Sequence, residues 1–389
     1  MQLGLEPSIS STDSTFVLEK ILHRYTGKRN KIIALFLDIS KAFDRVNHFV
    51  IGKELLSRNI PPDMVLFLMS YLRNQKARVV WNGICGKYLT VEEGVRQGGI
   101  LSPFLFKLYM DTLIRNVNKL DVGCRVGTQR ANILAYADDL VLLAPDYRSL
   151  DSLYCFLKSG LDGLNMILNV SKSKCMMFSK TGVKDQGNII LGDDVFEIVD
   201  TFKFLGHYIT SKLTDTKDIQ IKLNSFYGKC HSLHRNFCNL NSSVLLFLFK
   251  AYCIPDYGIA LWNHDNTFRS QNFKSFQIAY NKAVKRILNV PSYSSSHIAA
   301  ELCDLLMLNH HVSYVQARYL KRILRSPNTL IKSQQTYLKS GLFFKSACDN
   351  FNKTYDVRIS DNDLLAIQAR VARVQRLEER SRLCPFFGF

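Results

Sequence analysis

Residues 133–144 read Ile133-Leu134-Ala135-Tyr136-Ala137-Asp138-Asp139-Leu140-Val141-Leu142-Leu143-Ala144, two apolar runs with a pair of acids between them. A buried ionised Asp needs a charge partner, a metal or a proton to offset its desolvation, and two adjacent ones need it more. The flanks read as strands, so the pair sits at a hairpin tip that a cation can approach. A divalent ion is the natural compensator. A solvated turn between core strands is the plain alternative.

The same grammar recurs about 100 residues upstream. In Lys31-Ile32-Ile33-Ala34-Leu35-Phe36-Leu37-Asp38-Ile39-Ser40-Lys41-Ala42-Phe43-Asp44 an apolar strand again delivers an Asp at its C-terminal end. Two strands ending in carboxylate can converge on one site. Oxygen ligands of this kind suit Mg²⁺, which keeps waters and takes substrate phosphates as further ligands. Two such ions about 3.5–4 Å apart clamp the attacking and leaving oxygens of a phosphoryl transfer.

Between the acids lies Gly94-Val95-Arg96-Gln97-Gly98-Gly99-Ile100-Leu101-Ser102-Pro103. Ser102 followed by Pro103 reads as an N-cap and first helical turn, and positions 105, 108, 109, 112 and 113, apolar except for Thr112, recur at helical spacing. A Gly-rich loop therefore feeds a helix, and Gly98 and Gly99 let backbone approach a nucleotide or template closely. Elsewhere, the pattern predicts a helix over 50–73 broken near Pro61-Pro62, and a hairpin turning at Asn82-Gly83. Further helices are expected over 149–167, 215–238, 242–262, 269–288, 297–326 and 361–382, with a strand at Cys175-Met176-Met177-Phe178.

In that order these residues resemble the motifs of the reverse transcriptase of non-LTR (LINE-type) retrotransposons. Gln2-Leu3-Gly4-Leu5 with Ser11-Thr12-Asp13 is similar to the family's opening finger block. Leu37-Asp38 through Ala42-Phe43-Asp44 resembles motif A, residues 94–103 motif B, and Tyr136 to Asp139 motif C. Leu168-Asn169-Val170-Ser171-Lys172-Ser173-Lys174 resembles motif D, and Phe204-Leu205-Gly206 the primer grip. Phe249-Lys250-Ala251-Tyr252 to Trp262 is similar to the thumb. Ala-Asp-Asp alone occurs by chance in many proteins; six motifs in order ahead of the thumb, with family-like gaps, are specific.

The resemblance implies an α+β right-hand polymerase: an antiparallel palm sheet with partial fingers over 1–209, a helical thumb over 210–296, and a basic helical C-terminal region over 297–389. It implies RNA-directed DNA synthesis from dNTPs on a primed RNA template with two Mg²⁺ ions, Mn²⁺ being the substitute, inside an intracellular ribonucleoprotein, nuclear or cytoplasmic. Asp38 and Asp138 would bind both metals, Asp139 would support them, and the Ile39 carbonyl would add a ligand. Phe43 would gate the sugar, its ring colliding with a 2′-hydroxyl; a core aromatic is the other reading. Arg96, Gln97, Gly98 and Tyr136 would contact template and incoming nucleotide, although Arg96 also reads as an exposed loop cation. Lys172 or Lys174 would protonate the departing pyrophosphate, and Phe204, Leu205 and Gly206 would hold the primer. A catalytically inactive, nucleic-acid-binding remnant of such an element is the alternative. Intron maturases and viral RNA polymerases are disfavoured by Arg96 and Phe43, where a proline and an acid respectively are expected.

Departures accompany the matches. The chain is expected to be a truncated copy that opens within the fingers, with Glu6 where the family commonly has arginine. Cys384-Pro385-Phe386-Phe387 resembles the start of a terminal zinc knuckle, with Phe387 in place of the second Cys.

Composition agrees. The 389 residues carry a net charge of +18, which points to a polyanionic partner or an acidic surface. Residues 1–200 hold 25 Lys and Arg against 21 Asp and Glu, whereas 201–389 hold 26 against 12. The excess lies behind the acids, where a thumb would grip a nucleic-acid backbone, and an arginine stripe at 370, 373, 376 and 380 fits either phosphates or solvent. The ten Cys show no short paired spacing, which speaks for reduced thiols; Cys230, His234 and Cys238 share a helical face but lack a fourth zinc ligand. The segment 244–262 is interrupted by Lys250, Pro255 and Asp256, so no membrane span is expected.

Overall fold

The computed structural model describes residues 9–27, 30–179, 187–262 and 264–326, and the single positions 328, 331 and 374. Expectations placed on residues 2–6, on 361–382 with its arginine stripe, and on 384–387 lie outside the described residues. The chain forms two compact units, Met1–Leu205 and Gly206–Phe389. Their boundary falls inside Phe204-Leu205-Gly206.

The first unit is built on a six-stranded sheet. Its members in chain order are β1 (Ile32–Leu37), β2 (Ile133–Tyr136), β3 (Asp139–Ala144), β4 (Lys174–Phe178), β5 (Asn188–Leu191) and β6 (Asp194–Ile198), and across the sheet they run β5-β6-β4-β1-β3-β2. Every pairing is antiparallel except β4 with β6. β1 is central and buried at all six positions, which explains an unbroken Ile-Ile-Ala-Leu-Phe-Leu run where an edge strand would alternate. Ile33, Leu35 and Leu37 face a core shared with Leu105 and Tyr109 of helix α4 (Ser102–Lys119) and with Leu153 and Leu157 of α5 (Tyr147–Gly163). The opposite face is met by α1 (Ser11–Gly27). Asp13 is buried at the start of α1, where it accepts from the Ser10 N–H at 2.7 Å, so this finger-block acid serves as a helix cap.

The expected helix over 50–73 is two helices, α2 (His48–Ser57) and α3 (Pro62–Arg73), parted at the proline pair. Asn82 and Gly83 have φ of 48° and 80°, the left-handed pair a two-residue hairpin needs. Four expectations shift, the first being the single helix over 297–326, which is two, Ser296–Leu302 and Leu308–Arg325, parted where Cys303 caps the first and Met307 turns extended. Leu101, not Ser102, is the N-cap of α4, because the Ser102 hydroxyl turns back to the Arg96 carbonyl. The helix expected to reach 167 ends at Gly163; Asn165 enters the left-handed region at φ 55°, and Ile167–Leu168 extends to pair with Ile39–Ser40. The single helix expected over 242–262 is a short helix, Ser242–Leu248, followed by a π turn at Phe249–Cys253. Pro255 forces Ile254 into the extended region, and the helix cannot continue.

The second unit is helical, with α6 (Thr216–Phe237), α7 (Ser242–Leu248), α8 (His264–Arg269), α9 (Gln271–Ile287), α10 (Ser296–Leu302) and α11 (Leu308–Arg325). Phe226, Phe249, Phe273, Phe276 and Tyr280 form its aromatic centre. Beneath them lies a polar knot. Buried Asp218 accepts from Trp262 Nε1 at 2.8 Å, from the Tyr208 N–H at 3.1 Å and from Lys222, with His207 Nδ1 at 3.3 Å. Among the described residues, no helix is long and apolar enough to cross a membrane.

Candidate active site

The sheet register delivers the acids. β1 pairs Leu37 with Leu140 of β3, so one further rung sets Asp38 level with Asp139. β3 in turn pairs Asp139 with Tyr136 of β2, which leaves Ala137 and Asp138 as the turn. Ala137 has φ 55°. A left-handed non-glycine costs about 1–2 kcal/mol, a strain held here by the paired strands on both sides.

Asp139 records the convergence of the three groups. Its carboxyl is pushed up to about 6, first by burial and then by the charges of Asp138 and Asp38. The charges of Asp138 and Asp38 therefore bear on the Asp139 carboxyl. Yet among the described residues no three His, Cys, Asp or Glu close into a cage able to hold a metal alone. The two observations are compatible for Mg²⁺, which rarely sits in an all-protein cage and completes its shell with water and phosphate oxygens. The donor set, all oxygen and all anionic, fits such an ion.

Backbone anchors fix Asp38 from the far side. Its N–H donates to the buried Ser173 hydroxyl at 3.1 Å, and its carbonyl accepts from the Asn169 N–H at 2.8 Å. Ser173 also donates to the Asn169 carbonyl at 2.8 Å, which welds the 169–173 turn to the end of β1. That turn carries the two candidate lysines, and it separates them. Lys174 is held by Glu197 at 2.8 Å and by the Ser171 carbonyl at 2.9 Å. Lys172 is exposed and has no such partner among the described residues.

Motif B is stitched to the turn after β1. The Val95 N–H donates to the Phe43 carbonyl and the Gly94 N–H to the Val46 carbonyl, both at 2.8 Å, while His48 Nε2 meets the Gly94 carbonyl at 2.7 Å. Gly94 has φ 90°, and a Cβ there would lie 2.8 Å from the Asp44 carbonyl oxygen, so only glycine fits. Phe43 is half-buried and stacks on Phe106 of α4, ring centres 4.8 Å apart. Arg96, Gln97 and Gly98 are exposed on the loop above. Phe204 is also tied to motif A, because Phe36 of β1 packs against it at 5.7 Å and against Phe202 at 4.4 Å. Leu205 and Gly206 both adopt left-handed φ, 45° and 78°. Ile39 lies in the two-residue strand paired with Leu168.

Ser173, His48 and Phe106 position this site, and sequence reasoning gave them no such part. Each acts across the fold on a distant partner, and no local signal marks which serine of Ser171-Lys172-Ser173-Lys174 is the buried one.

A mostly antiparallel sheet with acids at the ends of its central strands, flanked by helices on both faces, is a polymerase palm. The family model for reverse transcriptase (RNA-dependent DNA polymerase) matches residues 2–209, more than half of the chain. The R2 Pol polyprotein of Nasonia vitripennis is 32% identical over 157 residues, 40% of this chain and 15% of that protein. The RNA-directed DNA polymerase from mobile element jockey of Drosophila funebris is 25% identical over 320 residues, 76% of this chain and 33% of that protein. Apo telomerase from Candida tropicalis aligns with a TM-score of 0.42 at 11% identity, covering 84% of this chain and 57% of that one. The chain belongs to the reverse transcriptase family, and its named relatives are non-LTR retrotransposon polymerases. It spans a third or less of the length of the two relatives named here.

Proposed function

We propose that this chain performs RNA-templated DNA synthesis, with Asp38, Asp138 and Asp139 as its catalytic carboxylates. The observation that supports this reading is the strand register, which sets Asp38 level with Asp139 and beside the Asp138 turn, where burial first and the charges of Asp138 and Asp38 second raise the Asp139 carboxyl to about 6. When bound, two Mg²⁺ or Mn²⁺ ions neutralise the phosphates of the incoming nucleotide and stabilise both the attacking and the leaving oxygen. Asp38 and Asp138 would hold both ions, Asp139 would support them, and the Ile39 carbonyl would be a further ligand.

The remaining roles rest on the family resemblance. Phe43, braced by Phe106, excludes a 2′-hydroxyl and selects dNTPs. Arg96, Gln97 and Gly98 on the exposed loop, with Tyr136 before the turn, contact template and nucleotide. Lys172 is the better proton donor for the departing pyrophosphate, since its ammonium has no partner among the described residues while Lys174 is engaged by Glu197. Phe204, Leu205 and Gly206 grip the primer. Residues 1–209 act as fingers and palm, 210–296 as thumb, and 297–389 as a basic extension. RNA template, DNA primer or target and dNTPs are the partners, inside an intracellular ribonucleoprotein.

Primer extension on poly(rA)·oligo(dT) with dTTP tests the reading. Extension that requires Mg²⁺ or Mn²⁺ supports it. A folded chain that binds the primed RNA and extends nothing in either ion would replace it with the inactive, nucleic-acid-binding remnant.

A further inference from the structure

An open basin of about 1150 Å³ lies beside the motif B loop in the first unit. α3 contributes Phe67 and Tyr71 to its wall, the turn after α3 contributes Asn74, and the hairpin over 76–90 contributes Lys76 and Arg78, with Arg96 on the motif B side. Asp44 and Glu93 lie at the end where the basin meets motif A and motif B.

The hairpin has no core of its own. Every residue from 76 to 90 is exposed, including Trp81 at 75% and Tyr88 at 62%, and Phe67 on α3 is 77% exposed. An isolated two-stranded ribbon is marginal in water, and aromatic side chains so exposed on adjacent elements mark a surface that takes a partner. Charge decides which partner. Residues 64–91 contain Arg73, Lys76, Arg78 and Lys87 and not one acid, and all four cations are exposed. Aromatic rings interleaved with cations suit a strand that offers phosphates along its backbone and bare π-faces beside it. A duplex presents phosphates but keeps its bases stacked inside. The guanidinium of Arg78 lies 5.1 Å from the ring centre of Tyr88, so one ribbon face already presents a cation and an aromatic together.

We infer that α3 and the 76–90 hairpin form a binding platform for single-stranded RNA, with bases stacking on Phe67, Tyr71, Trp81 and Tyr88 and phosphates held by Lys76, Arg78 and Lys87. Under the function proposed above, the occupant is unpaired template leading to Arg96 and Gln97; the platform itself needs neither metal nor nucleotide.

The test uses the full chain in EDTA with two fluorescent probes, a 20-nucleotide oligo(rA) and a blunt oligo(rA)·oligo(dT) duplex. Phe67→Ala with Trp81→Ala should weaken single-strand binding about tenfold or more, since base stacking on aromatic rings is a major source of such affinity, while duplex affinity stays unchanged. Arg78→Gln with Lys87→Gln keeps the rings, and should flatten the salt dependence of single-strand binding by about 0.7 per cation removed. That charge pair also serves if the aromatic variant does not melt cooperatively. Unchanged oligo(rA) affinity in both variants, or an equal loss on both probes, overturns the platform. So does a concentration-dependent dimer that Trp81→Ala abolishes while RNA binding is untouched, which would assign the surface to a second copy of the chain. Because binding is read without catalysis, a chain that never extends a primer still passes or fails this test.

Discussion

Replacing Asp139 with Asn should stabilise the metal-free protein. The carboxyl stands at about 6 against an ordinary 3.8, because folding buries it beside Asp138 and Asp38. That displacement corresponds to about 3 kcal/mol of disfavoured charge at 1.36 kcal/mol per pH unit. The group is partly open to water, so screening reduces the expected gain to about 1–2 kcal/mol, or about 3–6 °C in Tm for a unit of this size. The sign follows from a folded value raised above the unfolded one. Below about pH 4 the carboxyl is protonated in both states and imposes no penalty; as pH rises through 6 it ionises in the fold and the penalty becomes complete. Thermal melts in EDTA should therefore show wild type and Asp139→Asn together near pH 4 and the variant higher by pH 8. Mg²⁺ should narrow the gap at pH 8 by stabilising only the wild type fully. A variant that melts at or below the wild type in EDTA at pH 8 would refute the claim that three acids crowd one site.

Three further outcomes follow from contacts already described. Gly94→Ala should cost about 2 kcal/mol or more in urea unfolding, since it places a methyl against the Asp44 backbone at a left-handed φ; full stability would show that the motif A and motif B turns are not so tightly joined. Phe43→Val should raise incorporation of ribonucleotides relative to deoxynucleotides, and unchanged discrimination would return Phe43 to a packing role against Phe106. Asp218→Ala should destabilise the protein by about 3–5 kcal/mol by stranding Lys222 and the Trp262 N–H. Burial raises the Asp218 carboxyl, but His207 and Lys222 outweigh it and hold it below the ordinary range. Its stabilisation is therefore complete above the unfolded value of 3.8 and is lost as pH falls through the folded one, so the effect of Asp218→Ala should shrink in strong acid.

The parts of this architecture that were legible in the sequence are those set by neighbours along the chain. An apolar run ending in Asp38, a second framing Asp138-Asp139 and the Asn82-Gly83 turn each carry their own local chemistry, and all three are where the pattern puts them. Helix ends were less legible because tertiary partners compete for them. Ile167–Leu168 leaves a helical pattern for the strand opposite Ile39–Ser40, and the Ser102 hydroxyl abandons capping for the Arg96 carbonyl. The supports of the site were not legible at all. Ser173 reaches Asp38 across 135 residues of chain and His48 reaches Gly94 across 46, and nothing near either residue announces the partner.

Where a catalytic ion binds decides whether Asp38, Asp138 and Asp139 are one site. Crystals of the full chain with primed RNA template and a non-hydrolysable dNTP analogue, grown in Mn²⁺ and measured at the manganese edge, locate the ions by anomalous scattering. Two peaks about 3.5–4 Å apart, bridged by the Asp38 and Asp138 carboxylates with Asp139 alongside, are the expected result. Manganese bound elsewhere, or an empty carboxylate cluster in a chain that still extends primers, would contradict it.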